Sequence, residues 1–317
     1  SYLFCQFEFA KDTYQGIPNV SAVIKGKNNI LDTRTNTRGY TANAALCELD
    51  WMLNYVGIDE ANIRKISWDT AANDCATMVP GKDKDNNQIT EPRFELNGTI
   101  ILSGKHLESL SRMVQNGGVI PRRENGIWVA DIQQYSAPVI SLSEDDLLSH
   151  VELTTGAGKQ DKVNTIKGSF IDADNQYEQI EYPVLESAGY VTNDKEVLER
   201  TIDYQLVSSA SQCRRLSKIQ LEKSRFGVSF SAIFRLKLWP YPVGTRISFS
   251  YARYGWVDKV FRIVERDPNV LKGIGLMLRE DSPDIYSWND GDAINVQVPR
   301  LLNLPEAGFI AAPTNLV

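Results

Sequence analysis

From Val228 to Leu238 the even-numbered residues Val228, Phe230, Ala232, Phe234, Leu236 and Leu238 are all apolar, while Ser229, Ser231, Arg235 and Lys237 take odd positions. A period of two turns one row of side chains into a core and the other into water, which is the geometry of a strand. A half-buried strand needs neighbours, and the following residues supply them. Ile247, Phe249 and Tyr251 alternate likewise, Phe261 and Ile263 follow, and Ile274, Leu276 and Leu278 close the set between Gly and Pro turns. Four strands at this spacing predict a meander that rolls into a barrel or packs on a neighbouring helix at 209–226.

That helix is read from Ser208 or Ser209 as its cap, from Cys213, Leu216 and Ile219 as its inward stripe, and from Gly227 as its end. Upstream the period changes repeatedly. Residues 2–10 and 20–27 look like strands separated by a turn at Gly16-Ile17-Pro18-Asn19, and a polar loop runs from Asp32 to Tyr40. Leu46, Leu49, Leu53 and Val56 share one helical face, after Thr41 or Asn43 as cap and before Gly57 as terminator. A second helix is predicted from Ser67 through Met78, with Ala71, Cys75 and Met78 on one stripe. Gly81 to Thr90 reads as a loop, and Phe94, Leu96, Ile100 and Leu102 as an alternating strand. Leu107, Leu110 and Val114 form a short helical stripe stopped by Gly117-Gly118, and Asn125-Gly126 is a two-residue hairpin signal because both turn positions favour positive φ. Ser143 and Asp146 suggest a cap, and strands are predicted at 163–171 and 201–207.

The fold class expected is α+β, with mainly antiparallel, barrel-like β domains and a mixed helix-and-strand insert. Its 317 residues suffice for about two domains. Residues 1–38 are expected to complete an N-terminal domain whose remainder is missing, 39–158 to form the mixed domain, and 159–292 the β domain with one packed helix. Residues 293–317 read as a linker punctuated by Pro299, Pro305 and Pro313, then the opening strand of another domain. The start at Ser1, without a methionine, fits a piece of something longer.

The chemistry-bearing residues are sparse. Only His106 and His150 could serve as imidazole bases, and there is no GxSxG elbow, HExxH or histidine pair at metal-ligand spacing. Gly156-Ala157-Gly158-Lys159 imitates the end of a phosphate-binding loop, but Leu153 occupies the leading glycine position and Gln160 replaces the magnesium-binding hydroxyl. Asp83, Asp85 and Asn87 match the first three positions of a calcium loop, yet Gln88 stands at the glycine position and Phe94 at that of the bidentate glutamate. Asp172, Asp174 and Glu178 form a second acidic loop with Tyr177 at the turn position. Asp145-Asp146 and Glu280-Asp281 are adjacent carboxylates, which rarely converge on one substrate. No cofactor, metal or catalytic residue is therefore assigned.

Arg214, Arg215, Lys218, Lys223 and Arg225 lie on the 209–226 helix and are expected on a solvated face, where they could also meet an acidic neighbour. With 34 basic against 40 acidic residues, a net charge of -6 disfavours a broad nucleic-acid footprint. No apolar run reaches the roughly 18 residues of a bilayer span. Cys5, Cys47, Cys75 and Cys213 are scattered without a CxxC pair and read as reduced, buried thiols. Trp128, Trp239, Tyr251, Tyr254 and Trp256 could form a sugar platform, so a carbohydrate-binding module for host surface glycans is an alternative function; core packing explains them more simply. A cell-wall hydrolase lacks its acid, base and metal candidates.

Taken in order, several segments resemble the central hub region of tail-tip attachment and host-specificity proteins of lambda-like long-tailed phages and prophages. They are Gly16-Ile17-Pro18-Asn19-Val20 with Ile24-Lys25-Gly26-Lys27, the helix Asn43-Ala44-Ala45-Leu46-Cys47-Glu48-Leu49, Arg93-Phe94-Glu95-Leu96-Asn97-Gly98-Thr99-Ile100, and Asn164-Thr165-Ile166-Lys167-Gly168-Ser169-Phe170-Ile171-Asp172. Arg253-Tyr254-Gly255-Trp256, Phe261-Arg262-Ile263-Val264 and Leu278-Arg279-Glu280 extend the agreement, which spans about 14–290; Ala44 departs from a usual proline. The resemblance implies a non-catalytic homotrimer forming a ring with pseudo-sixfold symmetry. That ring would join the tail tube to receptor-binding elements and pass DNA at ejection, with distal tail, tape-measure and fibre proteins as partners. A host surface receptor would be engaged through other domains, and fibronectin type III modules would follow this region.

Overall fold

The computed structural model of the protein describes residue 6, residues 22–154, residue 158 and residues 161–296. The strand expected at 2–10, the turn at 16–19 and the expected domain start after 296 lie outside the described residues. Residues 22–27, expected to continue a strand, form none.

A small hairpin, β1 (Ile30–Asp32) and β2 (Thr37–Gly39), leads into helix α1 (Ala44–Trp51). Asn43 caps α1 by accepting the Leu46 N–H, and the helix continues as one wider turn, Met52–Val56, before ending at Gly57 with φ +79°. Leu46 and Leu49 are buried as the spacing predicts, whereas the wider turn buries Met52 in place of Leu53, which is half-buried, and leaves Val56 in solvent. Helix α2 (Lys65–Ala76) buries Trp68, Ala71, Ala72 and Cys75, but Met78 lies beyond it, exposed, at the start of β3 (Met78–Lys82).

β3 pairs antiparallel with β4 (Gln88–Pro92), so most of the loop expected at 81–90 is hairpin. Its largely wet strands carry polar residues, which concealed them. Conversely, the strand expected from Phe94 to Leu102 is absent, although Phe94 and Leu96 are buried. The Phe94 N–H bonds to the Cys75 carbonyl and the Leu96 N–H to the Ala42 carbonyl in a single isolated bridge between Asn43 and Glu95, so the alternation records burial with one bridge rather than a strand. Helix α3 (His106–Gly117) stops at Gly118 with φ +64°, and β5 (Val119–Glu124) turns through Asn125-Gly126, at φ +48° and +91°, into β6 (Ile127–Ile132).

β7 (Ser141–Leu142) and β8 (Glu152–Thr154) are short strands that join a later sheet. The strand expected at 163–171 is two, β9 (Thr165–Lys167) and β10 (Ser169–Asp172), broken at Gly168 with φ +157°. There the backbone passes so close to the Ile202 carbonyl oxygen that any Cβ would overlap it. β10 pairs with β11 (Glu178–Glu181), while β9 is flanked by β12 (Leu185–Glu186) and, after helix α4 (Ala188–Asp194), by β13 (Glu199–Thr201). The rest of the strand expected at 201–207 is irregular, apart from a bridge between Tyr204 and Phe170.

Helix α5 (Ala210–Arg225) opens at Ser209, whose hydroxyl accepts the Gln212 N–H. Then come β14 (Ser229–Phe234), β15 (Arg246–Tyr251), β16 (Trp256–Asn269) and β17 (Gly273–Glu280). They form a sheet of order β7-β15-β16-β17-β14-β8, antiparallel except where β7 meets β15. The α+β class with mainly antiparallel sheets holds, but this sheet is open rather than closed into a barrel. Its end strands β7 and β8 are not neighbours, and a strand of two or three residues cannot carry enough bonds to close a ladder. β14 ends at Phe234, after which Leu236–Leu238 is a single 3-10 turn that exposes Leu236 and buries Leu238.

Two large apolar cores result. One gathers α1, α2, α3 and the inward stripe of α5 around Trp68, Phe94, Phe170 and Tyr204; the other is the inner face of the six-stranded sheet around Phe230, Phe234, Phe249 and Phe261. They share no residue, so α5 packs on the first core rather than under the meander. A small cluster of Val163, Ile166 and Leu221 lies on another side of α5. Each fully buried aromatic contributes about 1.5–3 kcal/mol of transfer free energy, enough for the two cores to set the architecture. The chain passes between them at about 133–140, somewhere between Thr154 and Val163, at 226–228 and at 281–284, so each core draws on distant parts of the sequence.

Candidate functional site

The residues singled out from the sequence do not converge. His106 lies edge-on to Trp51 at 5.8 Å, while His150 is exposed with Nε2 3.3 Å from Glu152. In the Asp83 loop the carboxylate accepts the N–H groups of Asp85 and Asn87 and the Asn87 side-chain amide, which holds its pKa below the usual carboxylate value. It organises the β3–β4 turn. Asp172 does similar work between β10 and β11 by accepting the Asp174 N–H, with Gln176 and Tyr177 at positive φ. Among the described residues no group of three His, Cys, Asp or Glu is placed to hold a metal. Of the phosphate-loop imitation only Gly158 is described.

The adjacent carboxylates point to different cations. Asp146 meets Lys237 at 2.5 Å, Glu280 meets Lys259 at 2.8 Å, and Asp281 meets Arg246 at 2.6 Å. Cys75 and Cys213 are free and buried and Cys47 is half-buried; burial pushes the Cys47 thiol up to about 12, so it stays protonated at neutral pH. The aromatic side chains near Trp256 pack on one another. Trp256 lies 5.1 Å from both Phe261 and Tyr254 and 5.5 Å from Phe230, on the inner face of the sheet, and Trp128 packs against the first core. Trp239 stands apart, half exposed beneath the Arg266 guanidinium.

The basic residues of α5 do not form a solvated face. Arg215 is almost wholly buried, bonded to the Arg93 carbonyl and Glu91, with its guanidinium 5.1 Å from the Trp288 ring. Arg225 forks onto Asp194 and the Val163 carbonyl, and Lys218 reaches Asp292 at 2.9 Å. The helix lies between neighbours on several sides, so its charges find carboxylates and carbonyls far away in sequence. Lys223 donates to Gln133, and burial together with nearby Arg262 brings its amine down to about 8.

Two features had no sequence signal. Glu48 on α1 is fully buried with no hydrogen-bond partner for either carboxylate oxygen, and burial raises its pKa well above the ordinary value. The only hint is its place one turn after Ala44 and Ala45, on a face of small residues. The other is the polar junction between the cores, where Arg262 and Arg122 both approach Asp131 and Arg246 is locked to Asp281. On the sheet's outer side, an open groove of about 390 Å³ is lined by Ser149, His150, Glu152, Glu265, Asp267 and Met277. No helix among the described residues is long and apolar enough to cross a membrane.

What the geometry provides is packing and ion pairing, and in sequence the chain is similar to phage baseplate hub proteins. The relative in question is the baseplate hub protein pb3 of Escherichia phage T5, 22% identical over 236 residues, which are 72% of this chain and 25% of that protein. The chain thus spans about a quarter of the length of that relative. This likeness bears out the resemblance to tail-tip hub proteins carried by the motifs. No protein-family model matches the chain. Among solved structures, a chain of the virion of a native gene transfer agent particle aligns with a TM-score of 0.47 at 12% identity, over 57% of this chain and 40% of that one. A tail protein from Neisseria meningitidis MC58 aligns with a TM-score of 0.42 at 16% identity, over 62% of each chain.

Proposed function

We propose that the chain is a non-catalytic structural segment of the hub at a phage tail tip, one subunit of a homotrimeric ring in the virion. The ring links the tail tube to receptor-binding elements and passes DNA during ejection. Distal tail, tape-measure and fibre proteins are its neighbours. In this reading residues 1–38 complete a preceding hub domain, and residues 293–317 lead into a fibronectin-III-like domain.

The observation that carries the proposal is the likeness to pb3 over 72% of this chain. Two physical features agree with it. Apart from the buried Glu48, charged side chains such as Asp83, Arg215, Lys218 and Arg225 are engaged in loop turns, ion pairs and backbone bonds, as scaffolding requires. The end strands of the six-stranded sheet are only two and three residues long, which limits uncontrolled edge pairing in a protein that must sit among copies of itself. Negative-stain imaging and light scattering of the full-length protein test the reading. A threefold ring with a central opening is expected; a monomer at high concentration would overturn it.

A further inference from the structure

We infer that the two cores are coupled by an ionic latch, so that they can shift against one another without either core unfolding. The cores share no residue. At the junction, Asp131 on β6 bonds to Arg262 on β16 and lies 4.0 Å from Arg122 on β5. The turn before β15 fits against this group through Gly244, where an added Cβ would come within 2.9 Å of the Arg122 guanidinium carbon and 3.0 Å of Asp131. Arg246 on β15 reaches back to the Gln134 carbonyl at 2.8 Å and the Ser136 hydroxyl at 2.9 Å, both in the segment that first leaves the mixed core.

The third contact is at the end of α5, where Arg279 donates to the Lys223 carbonyl at 3.1 Å. Interfaces of this polar kind permit relative motion by default, because sliding exchanges protein hydrogen bonds for water at modest net cost. Packed apolar surfaces do not. Four chain connections limit the motion to a small rocking of the sheet, and the charges decide where it rests.

The test is hydrogen exchange on the full chain, comparing the natural protein with Asp131→Asn at low and high salt. Exchange in 133–137 and 243–245 is expected to rise about tenfold, the effect of losing one hydrogen bond to a charged group. Protection in α1 and β14 to β17 should stay unchanged, and added salt should move the natural protein towards the variant. Arg262→Gln should reproduce the effect, and the double variant should add little. Unchanged exchange at the junction, or a fall in protection through both cores at once, would overturn the latch.

Discussion

Arg246 and Asp281 meet at 2.6 Å with both side chains almost completely buried, joining the start of one sheet strand to the residue just past the end of another. Arg246 also donates to the Gln134 carbonyl and the Ser136 hydroxyl and lies 5.3 Å from the Tyr286 ring, so each guanidinium nitrogen has a partner. Removing Asp281 strands that cation. Asp281→Ala is expected to cost about 3–5 kcal/mol in urea unfolding, far more than an exposed pair such as Lys105–Glu108. A loss below about 1 kcal/mol would show that the pair is solvated in solution.

Glu48 sets a pH dependence of defined sign. Its carboxyl is raised in the folded protein and ordinary in the unfolded chain, so above the ordinary value of 4.5 the folded state binds the extra proton. Its contribution to stability is complete below that value and is lost as pH rises towards the folded pKa, at up to about 1.4 kcal/mol per pH unit. Glu48→Gln should remove this component, making the variant gain on the natural protein between pH 5 and pH 8 in parallel denaturation curves. If the two proteins keep a constant difference over that range, the buried acid is not holding a proton.

Gly168 and Gly126 both have positive φ but should respond differently to alanine. At Gly126 nothing lies within 4 Å of an added Cβ, so Gly126→Ala should cost only backbone strain, about 1–2 kcal/mol. At Gly168 the Cβ would overlap the Ile202 carbonyl, and Gly168→Ala should exceed the usual range of about 1–3 kcal/mol for overpacking. Melting curves of the two variants give the comparison; equal losses would contradict the close approach of the chains at Gly168.

Trp256 separates scaffold from sugar platform. Its contacts with Phe230, Phe249 and Phe261 predict that Trp256→Ala destabilises the sheet by about 3 kcal/mol through loss of packing. A glycan array on the natural protein is expected to stay silent. Specific glycan binding, lost in a Trp256→Ala variant of unchanged stability, would reverse that assignment.

The parts legible in the sequence were those decided by local chemistry. The period of two marked β14 to β17, Asn125-Gly126 marked a hairpin, and Ser209 and Asn43 marked helix starts, because each depends on residues a few positions apart. Phe94 and Leu96 misled because alternation reports burial, and these residues are buried by packing in the first core, with only a single bridge between Asn43 and Glu95 beside them. The α5 charges misled for a related reason: Arg215 and Arg225 are neutralised by Glu91 and Asp194, partners that only the tertiary fold brings close. Glu48 was unreadable since a lone acid on a short helix has the same spacing whether wet or dry.

The fourfold passage of the chain between its two cores has a genetic corollary. A recombination point falling between about codon 142 and codon 278 would assemble each core from two parents whose side chains had never been fitted together. Hybrids of such genes should survive only when the exchange carries the whole stretch from about codon 30 to codon 285, making it a single heritable block even though it contains two separate apolar interiors.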